Sequence, residues 1–274
     1  MKENKIKRKG HFGLIIGSSI IAVCLILVGL CLSYNKLHEI WIEQCELVDP
    51  AVQVEVSPGK MVKADILMEN LGLRKGANLA LIDFDAKRQE VLRKIPNLRA
   101  ISISRRLPNK VKIVTEERTP MARMNIRGRK SETGRVVDAD GVVFIWQRGT
   151  QTLPIIRETQ APGTPVGATL SGHAMAALML LKASLEPDRS DLNILDIDVS
   201  KPDYLLATLG NYSTAKIAWE GMDDPSPAHA ASLNRQLDML AKAIRSNIGA
   251  TTRIWNATDT STPGRIYADS KGNL

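Results

Sequence analysis

An α+β chain is predicted, with one N-terminal transmembrane helix, then a small β-α-α-β-β domain, then a mixed β domain with two helices. Three observations predict it. Phe12–Tyr34 runs for 23 residues without a charge. The next stretch switches from helical apolar spacing to strict strand alternation near residue 100. Beyond about residue 185, short β-prone runs alternate with turn signals and are interrupted by one further amphipathic helix.

The N-terminal elements come first. Met1–His11 carries five basic residues and one acid. The uncharged run behind it would make a helix of about 34 Å, enough to cross a hydrocarbon core of about 30 Å. A cleaved signal peptide would have a shorter apolar region and a small-x-small site. Neither is present, and Leu30 before Cys31 is too bulky for a lipoprotein-type cleavage motif. Asn35–Asp49 holds one Lys against four acids, so the basic side is expected to stay cytoplasmic and the bulk of the chain to lie outside. The expected divisions are a cytoplasmic tail 1–11, a span 12–34, a linker 35–51, a small domain 52–120, a β domain 121–269 and a tail 270–274.

Val52–Val56 is a β-prone run closed by Ser57-Pro58-Gly59. Val62, Ile66 and Met68–Leu71 suit a helix stopped by Gly72. Asp85 is a candidate N-cap for a second helix with Val91, Leu92 and Ile95 on its apolar face and Pro96 at its end. Ile101 and Ile103 alternate with serines, Arg106–Asn109 makes a turn, and Val111, Ile113 and Thr115 alternate with lysines. The first strand is expected to join this hairpin, with both helices on one face. Asp138-Ala139-Asp140-Gly141 reads as a turn between two strands. Ser171–Leu185 is helical, with Ala174, Leu178, Leu181 and Leu185 on one face. Asn193–Val199, Tyr204–Leu209 and Lys216–Trp219 are strands, and Ala228–Ser246 is a helix whose Leu233, Leu237, Leu240 and Ile244 are expected to pack a core. Thr252–Ala257 and Gly264–Ala268 close the chain as strands.

Charge and composition exclude several functions. The net charge is +8 with 37 Lys+Arg, but ten basic residues against three acids fall in Arg105–Arg135 alone. That local excess suits anionic lipid headgroups or an acidic partner, and more simply the solvated surface of a hairpin and its exit loop; the expected external location removes nucleic acid as a partner. Three Cys form no C-x-x-C pair, and the four His lie outside metal-ligand spacing, so no metal site and no cofactor are expected. Ser171 near His173 lacks an oriented base and oxyanion donors, and is read as a helix N-cap; Asp138 and Asp140 are read as turn residues. No catalytic residue is assigned and no small-molecule substrate is expected. Asn211-Tyr212-Ser213 and Asn256-Ala257-Thr258 fit a glycosylation sequon too short to be informative.

Gly72–Met124 resembles the POTRA domain of the bacterial cell-division family FtsQ/DivIB. The resemblance is carried by Gly76-x-Asn78-Leu79, Pro96 after the second helix, Arg105-x-x-Pro108 in the hairpin, and Glu117-Arg118-x-Pro120-x-Ala122. It continues into Val137-Asp138-x-Asp140-Gly141-x-Val143-Phe144 and Leu153-Pro154, which resemble the opening of the family's β domain. The resemblance implies a non-enzymatic scaffold in the bacterial inner membrane at the division septum. It also implies that the protein holds FtsB-like and FtsL-like coiled-coil proteins among other divisome partners, and so links early division proteins to septal peptidoglycan synthesis. The matching partner strand is Arg265-Ile266-Tyr267-Ala268, whose edge backbone can add a partner segment; at most one of Ile266 and Tyr267 should face the domain's own core. Asn78, Pro96, Arg105, Pro108, Glu117, Arg118, Pro120, Asp138, Gly141 and Phe144 are expected to act structurally, with Glu117 and Arg118 bracing the junction. A solitary POTRA chaperone for exported or outer-membrane proteins, or an exported hydrolase, are the competing classes.

Overall fold

The computed structural model describes residues 7–57, 59, 61–106, 108–126, 134–147, 149–159, 163–222, 224, 226, 229–246, 252–259 and 266–269, with side chains from residue 23 onward. The chain divides into two compact units. The smaller comprises 1–59, 63–91 and 101–115, and the larger 60–62, 92–100 and 116–274.

In the smaller unit, helix α1 (Lys7–Gln44) is far longer than its uncharged core, so the stretch expected to be a linker is helical as far as Gln44. Among the described residues, Val23–Gln44 is long and apolar enough to cross a membrane, and none of that stretch is buried against the protein. A short helix α2 (Pro50–Gln53), which periodicity does not reveal, is capped by Asp49 and precedes β1 (Val54–Ser57). Helix α3 (Ala64–Leu71) ends at Gly72, whose φ of 73° is open to glycine without strain. Its buried residues are Leu67 and Leu71, and Ile66 is exposed. Helix α4 (Phe84–Lys94) is capped by Asp83 rather than Asp85: Asp83 Oδ1 accepts from the amides of Asp85 and Ala86. The expected hairpin forms as β2 (Leu98–Arg106) and β3 (Lys110–Glu117). The sheet order is β1-β3-β2, with β1 parallel to β3 in the register Val54 opposite Val111. Such a parallel pair needs a crossover, and α3 and α4 supply it.

The larger unit is built on a nine-stranded sheet. Its strands are β4 (Ala122–Ile126), β5 (Arg135–Val137), β6 (Val143–Ile145), β7 (Ile155–Glu158), β8 (Ile194–Asp198), β9 (Leu205–Leu209), β10 (Thr214–Ile217), β11 (Ile254–Ala257) and β12 (Tyr267–Asp269). The order is β12-β11-β10-β9-β8-β7-β4-β5-β6. The central trio β4-β7-β8 is parallel, as is β10-β11, and the remaining pairs are antiparallel. The third late strand thus covers Thr214–Ile217 rather than Lys216–Trp219, and the last begins at Tyr267.

Helices α5 (Gly172–Ser184) and α6 (Ala230–Arg245) pack onto this sheet through one continuous core that includes Met124, Ile156, Leu178, Ile197, Ala207, Leu237 and Trp255. Leu233, Leu237 and Leu240 of α6 are buried and Ile244 is half-buried against the same core, as core packing requires. Leu185 departs from its expected face: it lies one residue beyond α5 and is 73% exposed. Ser171 occupies the N-cap position of α5, but its hydroxyl makes no capping hydrogen bond. A 3-10 turn, Pro187–Leu192, carries buried Arg189. That guanidinium donates to Asp238 Oδ1, Asn234 Oδ1 and the Ala183 carbonyl, so one cation joins the turn to both helices.

Candidate functional site

The family-motif residues fall into two hydrogen-bonded groups and a few isolated positions. In the smaller unit, Asn78 clasps the end of α1. Its Nδ2 donates to the Ile42 carbonyl at 2.8 Å, its Oδ1 accepts from the Ala80 amide, and its backbone bridges to Glu46. Gly76 holds a φ of 84°, which lets its amide reach the Leu47 carbonyl at 2.8 Å. Arg105 lies over the Phe84 ring, 4.8 Å from its centroid, and donates to the Ile82 carbonyl. Pro108 is exposed in the hairpin turn.

The second group lies within the larger unit and centres on Asp138. This carboxylate is 4% exposed; Oδ1 accepts from the amides of Asp140 and Val142, and Oδ2 accepts from Arg118 Nη1 at 2.6 Å. Arg118 Nε donates to the Pro96 carbonyl at 3.1 Å, and its amide donates to the Asn97 carbonyl. Glu117 Oε1 accepts from the amides of Met61 and Val62, both at 2.8 Å. Asp140 completes the network through Arg99 at 3.2 Å. Gly141 has a φ of 83°, and Phe144 is fully buried with its ring edge-on to Trp146. The Asp138–Gly141 segment is thus a turn whose carboxylate accepts from two backbone amides and one guanidinium, an arrangement suited to fixing backbone.

At one end of the sheet, β12 pairs with β11 in the register Trp255 opposite Ala268 and Asn256 opposite Tyr267. Ile266 is half-buried against the core, while Tyr267 is 51% exposed. Only one of these two neighbours therefore turns inward. Arg265 lies outside the described residues.

A groove of about 1310 Å³ opens elsewhere in the larger unit, lined by Met121, Leu153, Leu181, Leu185, Arg123 and Arg157 among others, with half-buried Pro120 at its margin. Its basic groups have protein partners: Arg123 Nε donates to the Leu153 carbonyl, Lys182 Nζ to the Ala139 carbonyl, and Arg157 Nε to Asp196 at 2.6 Å. Burial pushes the Asp196 carboxyl above its ordinary value, and Asp198 adds to that, against the opposing pull of Arg157 and Arg123. Among the described residues, no group of three or more His, Cys, Asp or Glu is placed to hold a metal ion. Asn211 and Asn256, the sequon residues, each accept from the amide and hydroxyl two residues on, closing their own turns.

Residues 50–118 match the family model described as "POTRA domain, FtsQ-type". The chain therefore carries a POTRA domain of the FtsQ type. It is also 24% identical over 104 residues to "Cell division protein DivIB" of Clostridium acetobutylicum, a match spanning 38% of this chain and 40% of that relative's length. Together these findings support assignment of the chain to the FtsQ/DivIB family.

Proposed function

We propose that this chain is a non-enzymatic cell-division scaffold. Helix α1 anchors it in the cytoplasmic membrane with the N-terminus inside, and it links early division proteins to septal peptidoglycan synthesis by binding FtsB/FtsL-type coiled-coil partners. The observation that carries the partner site is the position of β12 at the end of the nine-stranded sheet, with its first residue, Tyr267, half-exposed. An edge strand offers unpaired N–H and C=O groups to an added segment, and an aromatic at that edge supplies contact area at little entropic cost. Ile266 holds the strand onto the core while Tyr267 meets the partner; Arg265 and Ala268 complete the proposed contact.

The test is co-elution of the detergent-solubilised full chain with the same organism's FtsB- and FtsL-type proteins. Co-elution that disappears when the chain is truncated after Thr262, and weakens in Tyr267→Asp, is the expected result. Complex formation unaffected by Tyr267→Asp would remove the strand-addition site. Selective capture of unfolded β-barrel precursors instead would replace the scaffold reading with a chaperone-like one.

A further inference from the structure

Helix α1 does not end at a hinge. Its last turn runs directly into the smaller unit, where the Leu47 amide donates to the Ala77 carbonyl, the Gly76 amide to the Leu47 carbonyl and the Leu79 amide to the Cys45 carbonyl. Cys45, Leu47 and Leu79 are fully buried, so packed structure begins at the first residue after the helix. Phe12–Tyr34 accounts for about 34 Å of helix, and continuing to Trp41 brings the length to about 45 Å. The first matches a hydrocarbon core and the second a whole bilayer with its headgroup layers, about 40–45 Å.

The side chains in that extra stretch are sorted. At 100° per residue, Tyr34, Leu37, His38 and Trp41 share one face of α1, with Lys36, Glu39 and Glu43 opposite. The rings of Tyr34 and His38 lie 6.0 Å apart and those of His38 and Trp41 6.5 Å apart. Tyr34 and Leu37 are each 67% exposed, and Trp41 is 44% exposed. Close to the seam with α1, the smaller unit exposes Val48, Val52 and Leu81, at 66, 77 and 73%. Glu46, Asp49, Arg74 and Lys75 lie beside them with no prevailing sign.

We propose that this collar is a lipid contact: the Tyr34–Trp41 face is seated in the outer headgroup layer, and Val48, Val52 and Leu81 rest on the same leaflet. The smaller unit is then held at the bilayer surface without a stalk. The inference rests on reading α1 as a membrane span. Amphipathic rings with polar tips favour that layer. A partner-helix seam would instead call for an aliphatic heptad pattern sustained over several turns, which this short aromatic stripe lacks. The mixed charge makes the contact apolar, so it does not depend on anionic lipid.

The test uses the full chain reconstituted in phosphatidylcholine vesicles, with and without phosphatidylglycerol, and lipids brominated at shallow acyl positions. Trp219 and Trp255 are buried and Trp146 is half-buried in the larger unit, so the measurement is made in a Trp146→Phe background, where lipid-dependent quenching should be equal in both lipid mixtures and should disappear when Trp41→Phe is added. A Val48→Cys variant with Cys24 and Cys31 replaced by Ser, labelled with an environment-sensitive dye, should be quenched by the brominated lipid and protected from aqueous iodide. Quenching of Trp41 and of the label by iodide, with none by brominated lipid, would overturn the proposal. So would shielding that appears only when a partner helix is co-reconstituted. Release of the chain from vesicles by alkaline carbonate would overturn the span reading beneath it, and is distinguishable from both.

Discussion

The two ends of the nine-stranded sheet are treated differently by the same polypeptide. At the β6 end, residues 167–170 lie along the strand: the Val143 amide donates to the Ala168 carbonyl, the Gly167 amide to the Val143 carbonyl and the Leu170 amide to the Gly141 carbonyl. At the other end, β12 is hydrogen-bonded to β11 alone among the described strands. An exposed edge invites unwanted pairing, and proteins ordinarily cover it. A chain that covers one edge with its own backbone, and fixes the adjoining hairpin with the Asp138 turn, has the means to protect both. This difference is what supports the proposal of β12 as the edge on which association is useful.

The strongest way to break this comparison is to release the covered edge. Asp138→Ala leaves Arg118 without its carboxylate and two amides without their acceptor, and should lower stability by about 3–5 kcal/mol. Urea denaturation measures the loss, and faster hydrogen exchange at Val143 and Leu170 would locate it. Gly141→Ala acts at the same edge more gently. A Cβ there meets Met175 Cε at 2.7 Å on a backbone with φ of 83°, so a cost of about 1–3 kcal/mol is expected. An unchanged midpoint would show that Met175 yields freely.

Asp196→Asn, in the middle of the sheet, serves as a control that should leave exchange at both edges unaltered. Because burial raises the folded pKa of Asp196 above its unfolded value, the native state holds this proton more tightly. The wild-type protein accordingly loses stability as pH rises from the ordinary aspartate range through the raised value. The variant lacks that loss, so its stability relative to wild type should increase over the same interval; a parallel pH profile would contradict this. The smallest effect on folding is expected at the β12 edge, where Tyr267→Asp should change stability by no more than about 0.5 kcal/mol while weakening the proposed partner binding. A large drop in unfolding midpoint would make Tyr267 a structural residue and erase the distinction.

Elements with one wet face were readable from residue spacing. The β2–β3 hairpin announces itself by alternation, and α6 by Leu233, Leu237 and Leu240. Strand β4 was missed for the opposite reason: Ala122, Met124, Asn125 and Ile126 are all buried, so no period-2 contrast exists to be read. Strand β7 does alternate, but only over the four residues Ile155–Glu158. The pairing of β4 with β7 also joins segments far apart in sequence. The motif residues were identifiable one at a time by resemblance, and a bracing role for Glu117 and Arg118 was expected. The pairing of Arg118 with Asp138, and of Glu117 with the Met61 and Val62 amides, depends on tertiary structure. Likewise Asn78 was legible as a motif residue, but its grip on the Ile42 carbonyl was hidden by the assumption that a linker follows the span.

That grip has a consequence for encounter rates and affinities. A domain on a flexible tether samples many orientations and surrenders that rotational freedom whenever it docks. Here the hydrogen bonds from Asn78, Leu47, Gly76 and Leu79 lock the smaller unit to the helix that carries it. A partner that meets the smaller unit therefore finds it already oriented on α1, so part of the orientational cost of association at that unit has been met during folding.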